Sequence, residues 1–307
     1  MFSHIKYLRI KFNLVCTKDI KFNKFEGSMF RGGFGYIFKD IVCSNKSDDC
    51  VICSDVTNCP YAKLFRGIIK EDEKFKSATI NMPVPFVISM PFQGKDEIKI
   101  NETFSLEVNL IGKAIDYLQY FIYCFDNLGK RGVGKSKGKY GMISVECKDS
   151  RDIIYIDNLL IEENIKVMNF DDDYKGKSKA IINFITPVRI IEKGHFRRDI
   201  DFEVILKNIL RRIELISYFH CDKKLEIDYD NLLDEVRNIE IEDRNLTLFN
   251  WSRFASNKNN VNMSGYRGYM KGIGVFKSII PYFNMGEIVY VGKGCSFGMG
   301  KYKINFI

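Results

Sequence analysis

Two segments rich in glycine and lysine contain the residues of this chain whose types and spacing could bind a polyanion. The first segment is GKRGVGKSKGK at 129–139, and the second is GKGCSFGMGK at 292–301. Glycine lets a backbone approach a ligand closely and expose its N–H groups, while lysine and arginine neutralise phosphates. We call these segments the first and second glycine loops, and their composition favours a nucleic acid over a small apolar substrate.

The phosphate-binding residues predicted in the two loops are basic side chains, a hydroxyl and glycines whose N–H groups could face the ligand. They are Lys130, Arg131, Lys135, Lys137, Lys139, Gly292, Lys293, Gly294, Ser296, Gly298, Gly300 and Lys301. Phe297 could add a ring for base stacking. Because both loops precede a predicted final strand, the repetition suggests a duplicated nucleic-acid-binding unit.

The first glycine loop also satisfies the P-loop pattern, with Gly129, Gly134, Lys135 and Ser136 at the required spacing. A P-loop needs a strand before it and a helix after it, because the helix N-terminus forms part of the phosphate cradle. Here apolar residues recur at helical spacing before the loop, and a strand pattern follows it. The order of the elements therefore disfavours nucleotide hydrolysis.

A cluster of cysteines at 43–59 has the ligand types of a structural metal site. Its members are Cys43, Cys50, Cys53 and Cys59, within an odd total of nine cysteines that argues against a disulfide framework. Four thiolates could close a tetrahedral zinc site, and an iron–sulfur cluster would need the same ligands. Reduced cysteines in a small insertion are the alternative. Since a closed site has no open coordination position, we predict no catalytic cofactor.

Composition sets outer limits on fold and location. A length of 307 residues with 46% hydrophobic content predicts about two domains with packed cores. The net charge of +8 favours an acidic partner. No apolar run approaches the roughly 18 residues that span a bilayer, and Lys6, Arg9 and Lys11 interrupt the start where a signal peptide would be apolar. We predict a cytoplasmic protein with no membrane partner.

The elements that must position the loops follow the same order in both halves of the chain. The first half predicts a strand at 8–14, a helix at 28–43, strands at 84–92 and 104–110, a helix ending near 128 and a strand from 140. The second half predicts a strand at 180–185, a helix at 200–219, an insertion at 222–244, strands at 246–251 and 263–275, a helix at 276–283 and a strand at 302–306.

This β-α-β-β-α-β order is that of the ferredoxin-like fold, which many RNA-binding domains use. We therefore predict an α+β protein of two tandem ferredoxin-like, RRM-like domains. The first would span 1–170 with the cysteine-rich insertion at 43–59, and the second would span 178–307 with the terminal glycine-rich loop. The polar stretch at 171–177 would join them.

Seven segments in order resemble the CRISPR-associated RAMP endoribonucleases of the Cas-six (Cas6) type. They are GSMFRGGFGYIFKDIVC, CPYAKLF, ITPVRI, RRIELISYF, NWSRFAS, SGYRGYMKGIG and GKGCSFGMGKYKI. The resemblance implies a protein that binds the repeat of precursor CRISPR RNA and cuts it once without a metal ion. It also implies that the second glycine loop lies on the RNA-binding side and adds Arg31, Arg253 and Arg267 as RNA-binding residues.

Cleavage of this kind needs a base to deprotonate the ribose 2′-OH and an acid to protonate the departing 5′-oxygen, which leaves a 2′,3′-cyclic phosphate. Family members often place a histidine in or after the first helix, and this chain has none between Ser28 and Phe65. Tyr36 and Lys39 could replace it. His220 at the end of the long helix is the third predicted catalytic residue, because the helix dipole there favours its charged form.

Three functions therefore remain open from the sequence. The leading hypothesis is a metal-independent endoribonuclease that matures CRISPR RNA. The second is a non-catalytic RNA-binding RAMP subunit of a CRISPR effector complex, with other effector subunits as partners, and the third is a zinc-containing nucleic-acid-binding module.

Overall fold

The computed structural model describes residues 2–22, 26–45, 49–68, 82–90, 97–134, 136–170, 175–254 and 260–307. The strands are β1 Lys6–Lys18, β2 Ile20–Lys21, β3 Phe86–Ser89, β4 Glu97–Ile98, β5 Thr103–Ile111, β6 Lys139–Cys147, β7 Ile153–Ile156, β8 Leu159–Leu160, β9 Met168–Asn169, β10 Lys177–Val188, β11 Ile191–Glu192, β12 His195–Phe196, β13 Glu240–Phe249, β14 Ser252–Phe254, β15 Asn260–Asn262, β16 Gly265–Phe276 and β17 Tyr302–Phe306. The helices are α1 Gly27–Val42, α2 Leu118–Arg131, α3 Phe202–His220, α4 Tyr229–Arg237 and α5 Ile280–Val289.

The first half of the chain forms an antiparallel sheet in the order β3-β5-β1-β6-β7-β8. Strand β1 lies between β5 and β6, with Phe12 opposite Leu106 on one side and Val145 on the other. Alternate residues of β1 are buried, as the alternating sequence predicts for a strand with one face on the core. The predicted strand and helix types of this half are confirmed, with α2 preceded by a 3₁₀ segment at Gly112–Tyr117.

Helix α1 forms even though its sequence contains four glycines, and two of them face bulky neighbours. A Cβ at Gly33 would lie 2.5 Å from Cδ1 of Leu128, and a Cβ at Gly35 would overlap the ring of Phe65. Gly32 has open space instead. The helix begins at Gly27, one residue before the predicted start, so Ser28 lies inside the first turn. Close helix packing, and not a loop, therefore explains the glycine-rich stretch.

Aromatic rings in contact with one another form one part of the core of the first half. Phe34 of α1 stacks on Phe121 of α2 at a centroid distance of 4.5 Å, and Phe12 of β1 contacts Phe125 at 4.9 Å. These rings are fully or almost fully buried. Burial of these large rings, together with the aliphatic side chains of the same core, stabilises the sheet and its two helices.

The second half forms an antiparallel sheet in the order β13-β16-β10-β17. Helix α5 begins at Ile280 with Pro281 in its first turn, where the missing N–H of proline costs no hydrogen bond. The predicted helix at 276–283 was therefore placed too early, since β16 continues to Phe276. The predicted strand at 302–306 is confirmed without change.

The chain divides into two compact units. One contains Lys6–Met168 and Phe219–Asp222, and the other contains Met1–Ile5, Asn169–Tyr218 and Lys223–Ile307. Among the described residues, no helix is both long and apolar enough to cross a membrane.

Candidate nucleic-acid interface

The first glycine loop is shorter in the structure than in the sequence pattern. Helix α2 continues through Gly129, Lys130 and Arg131, because the missing side chain of Gly129 lets the helix pass the backbone of Tyr140. The turn itself is closed by a β-bridge between Val133 and Gly138. A helix before the loop and strand β6 after it confirm that this is not a P-loop.

The basic residues of this loop fall into two groups. Lys130 forms an ion pair with Asp126 at 2.6 Å, which raises the pKa of Lys130, and Arg131 pairs with Asp40 at 3.4 Å. Lys137 and Lys139 are exposed. Lys135 lies outside the described residues. The first pair of cations therefore already has carboxylate partners, whereas the second pair points to solvent.

Two lysines that sequence reasoning missed join Lys137 and Lys139. Lys18 at the end of β1 lies opposite Lys139 in the sheet, and the backbone N–H of Lys21 donates to Oγ of Ser136 at 3.3 Å. We call Lys18, Lys21, Lys137 and Lys139 the lysine cluster. Within the part of the chain that the structure describes, none of the four forms an ion pair. The signal in the sequence is weak, because only the strand register brings Lys18 beside Lys139.

The turn that carries Lys137 and Lys139 of the lysine cluster packs closely on neighbouring backbone. A Cβ at Gly138 would lie 2.5 Å from the carbonyl oxygen of Asp19, so the turn packs directly on the backbone between β1 and β2. The carboxylate of Asp19 is engaged elsewhere: it accepts from the N–H of Ile100 at 2.8 Å, which lowers its pKa, and it pairs with Lys99 at 3.3 Å. Like charges opposite each other destabilise a sheet unless an anion neutralises them. The arrangement is suited to binding phosphates.

Helix α1 holds the first two predicted catalytic residues. Tyr36 is 71% exposed, and Lys39 lies three residues further on, so the two side chains are neighbours along the helix surface. Burial raises the pKa of the Cys50 thiol, and the charges of Arg66 and Lys39 oppose that shift. Arg66, which the sequence pattern did not single out, is therefore a second cation near Lys39.

Arg31 of α1 contacts the protein itself. Its Nη2 donates to the carbonyl oxygen of Phe65 at 3.1 Å, and its guanidinium lies 4.1 Å from the centroid of the Phe65 ring. These contacts attach the segment Tyr61–Arg66 to α1. The predicted RNA contact of Arg31 stays a prediction.

The third predicted catalytic residue, His220, is in a different environment from the one expected. It is only 4% exposed, and its Nε2 bonds to the carbonyl oxygen of Pro83 at 3.0 Å. Because a carbonyl can only accept, Nε2 carries the proton in this hydrogen bond. The geometry supports a packing role and gives the predicted catalytic role of His220 no support.

The predicted metal site is not assembled. Cys43 ends α1 and donates its N–H to the carbonyl oxygen of Lys39 at 3.0 Å, while Cys50 is buried against the core and Cys53 accepts from Nδ2 of Asn45 at 3.6 Å. Across the described ranges, no three side chains of His, Cys, Asp or Glu are placed to hold a metal ion. The zinc prediction from Cys43, Cys50, Cys53 and Cys59 therefore has no support in this structure.

The second glycine loop uses its backbone to hold itself in place. The N–H of Gly300 donates to the carbonyl oxygen of Pro187 at 2.9 Å, and the N–H of Gly298 donates to that of Cys295 at 2.9 Å. Thr186 closes the loop, since its Oγ1 donates to the carbonyl oxygen of Gly298 at 2.7 Å and accepts from the N–H of Lys301 at 2.8 Å. The N–H groups of Gly298 and Gly300 are therefore used within the protein, and the RNA-binding role predicted for these two glycines stays a prediction.

The side chains of this loop divide between core and surface. Phe297 is buried beside Trp251 at a centroid distance of 6.5 Å, so it is not the stacking ring that the sequence suggested. Lys293 is exposed, and Gly292, Gly294, Ser296 and Lys301 are partly exposed. The loop thus exposes Lys293, part of Lys301 and its outer edge to solvent, and their predicted RNA contacts stay predictions.

The arginines near the second loop also contact the protein backbone. Nε of Arg267 donates to the carbonyl oxygen of Ile185 at 3.0 Å, and Nη1 of Arg189 donates to that of Ser264 at 2.8 Å. The side chain of Arg253 lies outside the described residues. The predicted RNA contacts of Arg253 and Arg267 stay predictions.

Comparison with protein families gives two matches that follow the chain in order. The family model AF_1859_N, described as an N-terminal domain, matches residues 5–167. The family model of the CRISPR-associated endoribonuclease Cas6 matches residues 182–302. An uncharacterized protein of Archaeoglobus fulgidus is 24% identical over 285 residues, which is 91% of each chain.

Solved structures share the fold at low sequence identity. A Cas6 product complex has a TM-score of 0.59 at 12% identity and covers 97% of this chain and 99% of its own. Thermus thermophilus Cas6 has a TM-score of 0.55 at 12% identity, with 98% and 99% covered. A partial Cas6-RT-Cas1–Cas2 complex has a TM-score of 0.58 at 12% identity and covers 99% of this chain, which spans 47% of that one.

These matches confirm the resemblance inferred from the seven segments. The AF_1859_N match extends over more than half of the chain, and the Cas6 match covers most of the remainder. The chain belongs to the family that carries the AF_1859 N-terminal domain and is a Cas6-like CRISPR RAMP protein.

Proposed function

We propose that this protein binds the repeat of precursor CRISPR RNA and cuts it once by attack of a ribose 2′-OH, without a metal ion. The observation that carries the RNA-binding part is the lysine cluster, in which four exposed lysines form no ion pair within the described chain, although the charge of Lys21 acts on Asp19. Surfaces of this kind release condensed counterions when they bind a phosphate backbone. The Cas6 family match supports RNA as the polyanion.

The fold that presents this surface is, in our proposal, a pair of ferredoxin-like domains at 1–170 and 178–307. In the first half, the strands equivalent to the second, third, first and fourth of a β-α-β-β-α-β unit are adjacent in the order β3-β5-β1-β6. In the second half the corresponding order is β13-β16-β10-β17. Two halves with the same strand order, each with a helix after its first and third strand, support the proposal.

The proposed chemistry uses Tyr36 and Lys39. The phenolate form of Tyr36 would take the proton of the 2′-OH, the 2′-oxygen would attack the adjacent phosphorus, and the bond to the 5′-oxygen would break as the ammonium of Lys39 donates a proton to that oxygen. The ammonium of Lys39 would stabilise the additional negative charge in the transition state. The 71% exposure of Tyr36 supports this role, because a long RNA can reach the hydroxyl. The products are a 2′,3′-cyclic phosphate and a 5′-hydroxyl.

The test is incubation of the protein with the host's repeat RNA in EDTA, followed by end-group analysis. One cut with a cyclic phosphate is expected, and a single 2′-deoxy substitution at the cut site should abolish it. Tyr36→Phe and Lys39→Gln should each lower the single-turnover rate by about 10²–10⁴-fold with little change in RNA affinity. A 5′-phosphate product, or loss of cutting in EDTA, would contradict the mechanism.

One observation favours a second function. The segment between Ser28 and Phe65 contains no histidine, and His220 is buried. A non-catalytic RNA-binding RAMP subunit that assembles with other CRISPR proteins is therefore the alternative. The same assay distinguishes the two, since tight binding of the intact repeat without any cut supports the subunit. The Cas6-RT-Cas1–Cas2 relatives make such protein partners worth testing by co-purification.

A further inference from the structure

A cavity of about 360 Å³ lies between one face of α2 and the β7–β8 hairpin. Its lining includes Ile122, Tyr123 and Asp126 from the helix, and Tyr155 and Asn158 from the hairpin. This volume is near the lower end of the roughly 300–1,000 Å³ range of small-molecule sites. None of the sequence motifs pointed to this surface.

The walls of the cavity are preformed. Asp126 follows Ile122 by four residues and Tyr123 by three, which places these side chains on one face of α2. Asp157 and Asn158 both have positive φ, at 51° and 62°, which is typical of the tight two-residue turn whose twist matches a hairpin. The cavity therefore exists without a ligand to organise it.

The lining combines ring faces with hydrogen-bonding groups. Tyr123 is 56% exposed and so presents its ring to a ligand. The hydroxyl of Tyr155 donates to Oδ1 of Asn158 at 3.2 Å, which leaves the Asn158 amide nitrogen as a donor. Asp126 supplies acceptor oxygens. Lys130, paired with Asp126 at 2.6 Å, also lies within electrostatic range of both tyrosines.

Resting on the proposed function, we infer that this cavity holds an unpaired guanine base of the bound RNA. Proteins recognise single-stranded RNA by stacking splayed bases on aromatic rings and bonding their edges, and the ring of Tyr123 offers such a platform. Lys130 would face the phosphate of the same nucleotide. This gives Lys130 a role in RNA binding separate from the lysine cluster.

The choice of guanine follows from the lining. The Watson–Crick edge of guanine has one acceptor, O6, beside two donors, N1–H and N2–H. The Asn158 amide can donate to O6, and the Asp126 carboxylate can accept from the two donors. Adenine reverses this pattern, with a donor at N6 and an acceptor at N1. Uracil has an acceptor, O2, where guanine has the N2 amine, and hypoxanthine lacks only that amine. The site should therefore prefer guanine over all three.

The test is a calorimetric titration of the full-length protein with GMP, IMP, AMP and UMP. GMP should bind most tightly, with IMP about 5–10-fold weaker because one charge-assisted hydrogen bond is lost. Tyr123→Ala should weaken every nucleotide by about 10-fold or more, since stacking of one base is lost. Asp126→Asn should remove the preference for GMP over IMP.

Leu159→Ala is the matched control, because Leu159 is exposed in the same hairpin and does not line the cavity. It should leave nucleotide binding unchanged, and circular dichroism would confirm that all variants are folded. Equal affinity for the four nucleotides, or GMP binding that survives both cavity variants, overturns the inference. The inference is also overturned if Tyr123→Ala leaves nucleotide binding unchanged and abolishes only the binding of another CRISPR protein. If the cavity does not bind nucleotides as expected but the protein binds repeat RNA normally, the proposed function stands. If the protein does not bind repeat RNA, that function is rejected.

Discussion

The two glycine loops have similar compositions and use their residues in opposite ways. In the first loop, Gly138 permits a tight turn against β1 and β2, and Lys137 and Lys139 beside it are exposed and form no ion pair with any described residue. In the second loop, the backbone bonds to Pro187 and Thr186, and the side chains of Cys295, Phe297 and Met299 are buried. Glycine thus supports a charged surface in one loop and close packing in the other.

This difference shows that a glycine-rich basic segment does not by itself identify the atoms that contact a nucleic acid. Glycine permits close approach, and the approaching group can be a ligand or the protein's own backbone. In the second loop it is the backbone, since a Cβ at Gly300 would overlap the carbonyl oxygen of Val291. Lysine variants of the first loop should therefore chiefly change RNA affinity, whereas glycine variants of the second loop should chiefly change the free energy of unfolding.

The largest effect is expected for Gly300→Ala in the second loop. Gly300 has a φ of +74° and no room for a Cβ, so strain and overpacking should together lower the free energy of unfolding by about 3–5 kcal/mol. Gly194→Ala is the control, because Gly194 has a φ of +83° with open space and should lose only about 1–2 kcal/mol. Urea denaturation measures both. Equal losses would mean that the loop can move to admit a Cβ.

The next effect concerns RNA binding by the first loop and its neighbours. Replacing Lys18, Lys21, Lys137 and Lys139 by glutamine should weaken repeat RNA binding by about 10–100-fold near physiological salt. The slope of log affinity against log salt should fall by about 2.8, since each phosphate contact on a single strand contributes about 0.7. Fluorescence anisotropy at several salt concentrations measures both quantities.

A control with the same change of net charge tests whether position matters. Lys113, Lys148, Lys207 and Lys303 all have carboxylate partners, and their replacement by glutamine should change the slope far less. If both quadruple variants lose the same affinity, the protein's total charge, and not the lysine cluster, determines binding.

A smaller effect is expected for the lysines of the second loop. Replacing Lys293 and Lys301 by glutamine removes at most two phosphate contacts, so the salt slope should fall by about 1.4 and affinity by about 3–10-fold. Stability should stay within about 0.5 kcal/mol, because both are surface charges. An unchanged salt slope would show that the second loop is purely structural.

The smallest effect should come from Arg131→Gln in the first loop. Arg131 must leave Asp40 to contact a phosphate, so its net contribution should be below that of Lys137, which forms no ion pair with the residues that the structure describes. Exposed ion pairs are worth roughly 0–1 kcal/mol, so stability should barely change. Arg131→Gln and Lys137→Gln compared in one salt series measure the difference. A larger loss of RNA affinity for Arg131→Gln than for Lys137→Gln would contradict this ranking of the two cations.

Sequence periodicity determined the elements of this protein and the order in which they follow one another. The burial alternation of β1, the helix at 27–42 and the strand at 302–306 depend on residues close in sequence, so their patterns predicted them well. The same local order excluded a P-loop. The seven family segments likewise identified a Cas6-like protein, because a specific series of short motifs is a property of the sequence alone.

Only the tertiary structure decided which groups face solvent and which face the protein. The register of β1 against β6 brings Lys18 opposite Lys139, and helix packing buries His220 against Pro83. The four cysteines are close in sequence, yet they do not form a metal site among the described residues. Hydrogen bonds and burial between residues more than a hundred positions apart depend on the packing of whole elements, and spacing along the chain carries no information about that packing.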